Sequence, residues 1–295
     1  MGYLFLLVAL LAGVTKGYCG KRTSGYTKGF NDALFANSIR MGLCVIIGFI
    51  LVTVTGDLSK IVPNVEMLLI SALSGVSMAI FVVTWLILVK KSAYMLLDIF
   101  LMLGVLVPLI AGKIFFDEDI KTTQWIGIGD LFIAVLFMYS HNNSIKEKVS
   151  PLSLILLIVC GVANGVADFS QKVFMKTMPK GSPAVFNLYT YVFAGIILII
   201  AFAFTYKKEN GVAKSDIKKM FLFILVMAIC LFANSYFKTL SAGYLSAILL
   251  YPLNNGGALI LSTVMSATLF KEKLTVKAIL GIVIAFIGLL IINLL

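Results

Sequence analysis

The sequence predicts an all-α polytopic membrane protein, with ten transmembrane helices arranged as two inverted five-helix repeats. Three observations predict it. Hydrophobic residues make up 61% of the 295-residue chain and charged residues 13%, with a mean hydropathy of +1.06. A soluble domain averages roughly 45–50% apolar and about 25% charged. Apolar runs of about 20 residues, the length a helix needs to cross the hydrocarbon core, recur between short charged breaks. Finally, Phe116 to Gly127 (FDEDIKTTQWIG) has a counterpart in Phe270 to Gly281 (FKEKLTVKAILG), at an offset of 270 − 116 = 154 residues. The runs are continuous rather than alternating, which excludes barrel strands. Only helices then satisfy the backbone in lipid.

The first span, 2–20, lacks the basic n-region and A-x-A site of a secretory leader and ends in Lys21-Arg22, so it counts as a span. The second, 34–55, carries Asn37 and Arg40 and stops at Gly56-Asp57. The third, 66–89, ends at Lys90-Lys91. The fourth, 93–115, carries Asp98, and the fifth, 122–140, carries Asp130 and stops before Asn142-Asn143. The sixth, 151–175, opens at Ser150-Pro151 and carries Asn164, Asp168, Gln171 and Lys172. The seventh, 184–206, follows the turn from Pro179 to Pro183, carries Asn187 and stops before Asn210-Gly211. The eighth, 219–238, carries Asn234; the ninth, 242–269, carries Asn254 and Asn255; the tenth, 275–294, starts at Thr275. The connections are too short for a soluble domain.

The repeat extends past the charged motif. Ser92-Ala93 aligns with Ser246-Ala247 and Ala134 with Gly288 at the same offset, while Gly13-Val14 matches Gly165-Val166 at 165 − 13 = 152. The repeats are therefore 1–140 and 151–295. Five is odd, so the second enters the membrane with the opposite sense, the inverted repeat of many secondary transporters, whose substrate site lies near the midplane between the repeats.

Other classes are excluded in turn. Cys19, Cys44, Cys160 and Cys230 have no paired spacing, so neither a disulfide frame nor a metal site is expected. His141 is the sole histidine, and no G-x-S-x-G accompanies it, so an enzyme is not expected. No Walker motif is present, and no cofactor is expected. The net charge of +11 suits topology and anionic lipid headgroups, not nucleic acid. The expected partners are a small-molecule substrate and the bilayer.

Ten helices in two halves, each closing with a Glu-x-[Leu/Ile]-Thr-like break and a glycine-bearing last helix, resemble the drug/metabolite transporter superfamily and its EamA-like branch. The matching residues are Glu118 to Gly127 and Glu272 to Gly281, with Gly288 beyond, and Gly165 followed seven residues on by Lys172. The first half departs: Gly13 is followed by Gly20, and the lysine falls at Lys21. The resemblance implies the fold and transport of a metabolite such as an amino acid. Related branches carry nucleotide sugars and sugar phosphates.

Loops after the odd-numbered spans carry fifteen Lys and Arg, from Lys21 to Lys277. Those after the even-numbered spans carry only Lys60, Lys121, Lys176, Lys180 and Lys238. The charge bias places both termini outside, whereas the resemblance implies termini inside.

Charged and amide groups inside spans carry the functional argument, and an ionisable one costs roughly 2.5–3.5 kcal/mol at the bilayer centre. Lys16 and Asp168 occupy equivalent places in the two halves and are candidates to face each other across a cavity; the alternative is a structural ion pair. Asn164, Asp168 and Gln171 share one helical face. Arg40, with Lys16, Lys21 and Lys172, suits an anionic or zwitterionic ligand, unless it contacts lipid phosphate. Asn187, Asn234 and Asn254 complete the candidate substrate-binding set, with Asp98 and Asp168 as candidates for proton coupling. Asp130 either pairs within the bundle or marks a homodimer contact. Lys113 and Lys238 are expected to snorkel to headgroups. Trp85 is expected in the interfacial belt, with Tyr189, Tyr191, Tyr236 and Tyr251 as alternatives for stacking on substrate. Glycines Gly127-x-Gly129 and Gly281 to Gly288 suit close helix packing. The reading is a plasma-membrane secondary transporter, an exporter. The alternatives are a non-transporting scaffold or accessory subunit, and an importer or exchanger of anionic metabolites.

Overall fold

The computed structural model describes residues 1–27, 29–62, 64–91, 94–140, 151–205, 214–270 and 276–294. Within them the chain forms eleven α-helices and one short 3-10 helix (Asp57–Ile61), with no strand. The first half holds α1 (Gly2–Ser24), α2 (Phe30–Val54), α3 (Val65–Lys91), α4 (Tyr94–Gly104), α5 (Leu106–Phe116) and α6 (Thr122–Ser140). The second holds α7 (Pro151–Thr177), α8 (Pro183–Thr205), α9 (Lys214–Ala242), α10 (Ala247–Leu269) and α11 (Val276–Leu294).

Seven of these helices, among the described residues, are long and apolar enough to cross a bilayer. The other three expected spans are the broken pair α4 and α5, and the 19-residue helices α6 and α11. The outer surface is apolar: Phe204, Val54, Phe115 and Leu69 are each at least 67% exposed. Such a belt is tolerable only against lipid. The chain is a polytopic helical membrane protein.

The fourth span is broken for a local reason. Pro108 has no N–H to donate to the Gly104 carbonyl four residues back, and the helix interrupts at Val105. That freed carbonyl lies directly against α7. A methyl group built on Gly165 would come within 2.2 Å of the Gly104 oxygen, and one on Gly104 within 2.1 Å of the Gly161 oxygen. Gly161-x-x-x-Gly165 is thus a small-residue crossing point that lets two backbones touch.

The helices of one half pack against those of the other in a pattern that survives exchanging the halves. With α4 and α5 counted as one span, α1 packs on α9 as α7 packs on α3. Likewise α1 meets α10 as α7 meets α4, and α2 meets α9 as α8 meets α3. Further pairs, α2 with α8, α4 with α10 and α6 with α11, join helices of equal rank. The last is a backbone contact: Gly127 and Gly288 would each bring a methyl group within 2.8 Å of the other's carbonyl. Gly129, expected to share that packing role, has open space around it.

One boundary moves with consequence. The expected break at 239–241 is helical, because α9 continues to Ala242, and Lys238 falls inside the helix, buried. The turns expected at Asn142-Asn143 and Asn210-Gly211, and Lys271 to Thr275 with Glu272, lie outside the described residues.

Candidate functional site

Between the halves lies a cavity of ≈ 60 Å³, room for a few waters. Its wall comes from α1 (Lys16 among glycines), α3 (Phe81, Trp85), α4 (Leu101), α7 (Asn164), α9 (Asn234, Lys238) and α10 (Asn254, Asn255, Ser262). These are the first, third and fourth spans of each half. Polar groups gather there because each is also a tie between helices. Asn234 donates to the Ala9 carbonyl of α1 at 2.7 Å, and Gly13 leaves space beside its amide. Asn254 donates to Asn255 at 2.8 Å, and Asn255 reaches the Leu101 carbonyl at 3.4 Å. The Asn254 amide oxygen is buried with no partner.

Asp168 sits just behind this wall, 1% exposed. Its Oδ1 accepts from the Lys238 ammonium at 2.5 Å, its Oδ2 from Asn164 at 3.4 Å, and its carbonyl from the Tyr251 hydroxyl at 2.6 Å. The ion-pair partner is therefore Lys238 of α9. Lys16, expected opposite Asp168, lines the same cavity and adds its positive charge to the surroundings, and its ammonium lies 5.4 Å from the Phe81 ring centre. The expectation that Lys238 snorkels fails because a buried carboxylate is within reach, which keeps the charge inside the bundle.

Arg40 is 2% exposed and lines a smaller void with Lys16, Phe81 and Trp85. Its Nε has no partner. A guanidinium this deep is not a contact for lipid headgroups. Trp85, expected at the interface, is 5% exposed and forms cavity wall. Gly20 makes its place, since a methyl group there would lie 2.3 Å from the indole. The tyrosines serve elsewhere: Tyr191 donates to the Leu231 carbonyl at 3.2 Å and Tyr189 to the Ile61 carbonyl.

Several candidates lie apart from the cavity. Gln171 donates to Ser235 at 3.1 Å, and Asn187 to Thr239 at 3.2 Å and the Pro183 carbonyl at 2.8 Å, tying α9 to α7 and α8. Lys172 points to the helix ends, as described next. Of Asp98, the backbone belongs to α4 and the side chain lies outside the described residues.

A second ion pair ties α7 to the segment between α5 and α6. The Lys172 ammonium meets Glu118 Oε1 at 2.8 Å and donates to the Leu245 and Ala242 carbonyls at 2.7 and 3.3 Å. Glu118 Oε2 accepts the Ala247 amide at 2.7 Å, so a carboxylate from the first half caps the N-terminus of α10. Asp117, in the left-handed region at φ 50°, ends α5 and turns Glu118 inward, and the Glu118 amide closes on the Gly112 carbonyl at 3.3 Å. The sequence places Glu118 in the repeated charged break and does not pair it with Lys172. The spacing of Ser246-Ala247 to the motif was the available signal.

Residues 151–294 match the sequence profile of the EamA-like transporter family. The chain is similar to that family over this half. The EamA-like match covers all of α7 to α11, including Asp168, Lys172 and Lys238. One solved structure, described only as "Crystal structure of protein", superposes with a TM-score of 0.73 at 13% identity, covering 99% of this chain and 96% of that one. That likeness shows the fold. No curated protein matches the sequence. The similarity to EamA-like transporters and the long apolar helices agree with a multi-pass protein embedded in a membrane.

Proposed function

We propose that the protein is a secondary transporter of a small polar metabolite, an amino acid being one fit, working by alternating access of two inverted repeats, 1–140 and 151–295. One observation carries this reading: the buried polar cavity is built from the same three spans of each half, at the seam between them. The exchange pattern of helix packing supports a two-fold relation between the repeats. The odd number of spans per half supplies the inverted sense. The cavity is far smaller than the roughly 300–1,000 Å³ of ligand sites, as befits a closed form that must open to load. Glu118 with Lys172 would hold one end shut. Export across the plasma membrane is the direction the family resemblance favours.

The test is a thermal-shift panel of metabolites on purified protein, followed by counterflow in proteoliposomes with each hit. Counterflow of at least one compound is expected, lost on Lys238→Met. A chain that binds a hit yet shows no counterflow would instead be an accessory or scaffold subunit.

A further inference from the structure

The cavity wall is electrostatically one-sided. Among the described residues it presents two ammonium groups, Lys16 and Lys238, several amides and no carboxylate. Asp168 is screened from it by the lysine it holds, and Arg40 adds a buried cation behind Trp85. A ligand ammonium entering this space meets like charge. A ligand carboxylate meets Lys238, and taking over its ion pair displaces Asp168 from it.

That exchange has a consequence. A carboxylate buried as deeply as Asp168 does not stay ionised once its cation is taken; it neutralises by binding a proton. The groups facing Asp168 are Lys238 from α9, Lys16 from α1 and Tyr251 from α10. Lys172 lies one turn along α7, held by Glu118. Lys113 of α5 is exposed, and α4 brings Asp98, whose side chain lies outside the described residues. Lys16 remains attracted to whichever anion occupies the site. Asn164 serves both forms of Asp168, since its amide donates to the carboxylate and its oxygen accepts from the acid.

We propose that the ligand is a small organic anion whose carboxylate replaces Asp168 on Lys238, with Asp168 taking up one proton as it is displaced. This takes the transporter reading as its premise. Before exchange the site holds Lys238 ammonium and Asp168 carboxylate. Afterwards it holds Lys238 ammonium, ligand carboxylate and the Asp168 acid. The proton comes from water on the side the anion enters, and the net charge of the site is unchanged. One anion and one proton therefore cross together, without net charge. The unpartnered Asn254 oxygen accepts a hydroxyl beside the carboxylate, so lactate is a suitable probe.

The test uses the full chain in micelles with Trp125→Phe, leaving Trp85 in the cavity wall as the fluorophore. Lactate, alanine and choline are titrated from pH 6 to 8, with an indicator dye in weak buffer counting protons. Lactate is expected to change the Trp85 signal, to take up one proton, and to bind up to ~10-fold more weakly per unit rise in pH. Asp168→Asn is expected to bind lactate with no proton uptake and no pH slope. Lactate binding without proton uptake overturns the proposal. A response to alanine or choline with none to lactate also overturns it and leaves the transporter reading intact. A response to none of the three overturns it as well, and counterflow of other compounds then judges transport separately. If Asp168→Asn does not fold, the proton count and pH slope of the parent decide the matter.

Discussion

Two ion pairs sit one helical turn apart on α7, and their surroundings give them different work. At Lys172 every group is engaged: the ammonium has a carboxylate and two carbonyls, and both Glu118 oxygens are taken. At Asp168 the pairing is sparser. Lys238 faces a cavity, and the second carboxylate oxygen has only a 3.4 Å contact from Asn164. A saturated pair is a clamp, since any rearrangement strips several buried groups at once. A pair with one direct bond beside a void can change partners. Burial alone does not separate them; the number of remaining partners does.

The harshest break removes both pairs together. Gly165→Leu drives a side chain into the Gly104 carbonyl, 2.2 Å from where its first carbon would lie. α7 must then move away from α4, carrying Asp168 and Lys172 with it. Backbone collisions of this kind belong to the rare class costing more than ~4 kcal/mol. The expected result is loss of the monodisperse peak on size-exclusion chromatography. A folded variant with both pairs unchanged would show that the crossing does not position them.

Next in size, Lys172→Met leaves Glu118, 11% exposed, without its cation; breaking a buried pair in this way typically costs up to ~3–5 kcal/mol. The midpoint of thermal unfolding should fall accordingly. Glu118→Gln added to it should recover a substantial part, because an amide still accepts the Ala247 N–H. The contrasting double variant, Asp168→Asn with Lys238→Met, removes both charges of the exchangeable pair. It should stay close to the parent in stability and lose the lactate response. Equal destabilisation by the two double variants would erase the distinction between clamp and exchange site.

How much of this was legible in the sequence follows from which interactions are local. The spans are patterns along the chain, and hydropathy finds them. Asn164, Asp168, Asn234 and Asn254 were readable as candidates because a polar group in an apolar span is conspicuous. Partners were not readable. Lys238 looked like a span end because charge normally closes a span, and only the position of α9 against α7 shows that its counterion is inside. Trp85 looked interfacial for the same reason, until Gly20 on another helix is seen to make its slot. The Gly161 to Gly165 spacing was present in the sequence and passed over.

The mildest test concerns a third carboxylate, Asp57, outside the membrane-spanning helices. It pairs with Lys60 at 2.8 Å and accepts from Ser182 at 2.6 Å and Thr55 at 3.2 Å, joining the end of α2 to the turn before α8. The hydrogen bond from Lys60, then that from Ser182, hold its carboxyl below its ordinary value of 3.8. A lowered folded-state value means the contribution is complete above 3.8 and disappears as pH falls through the folded-state value. Exposed pairs contribute about 1 kcal/mol or less, so Asp57→Asn should shift the unfolding midpoint slightly at pH 7 and not at all at the acid end. Asp57 is as well supplied with partners as Glu118, but its cation Lys60 is 49% exposed where Lys172 is 3% exposed. Should Asp57→Asn prove as costly as Lys172→Met, saturation of partners alone would account for clamp strength, and burial would not be needed to explain it.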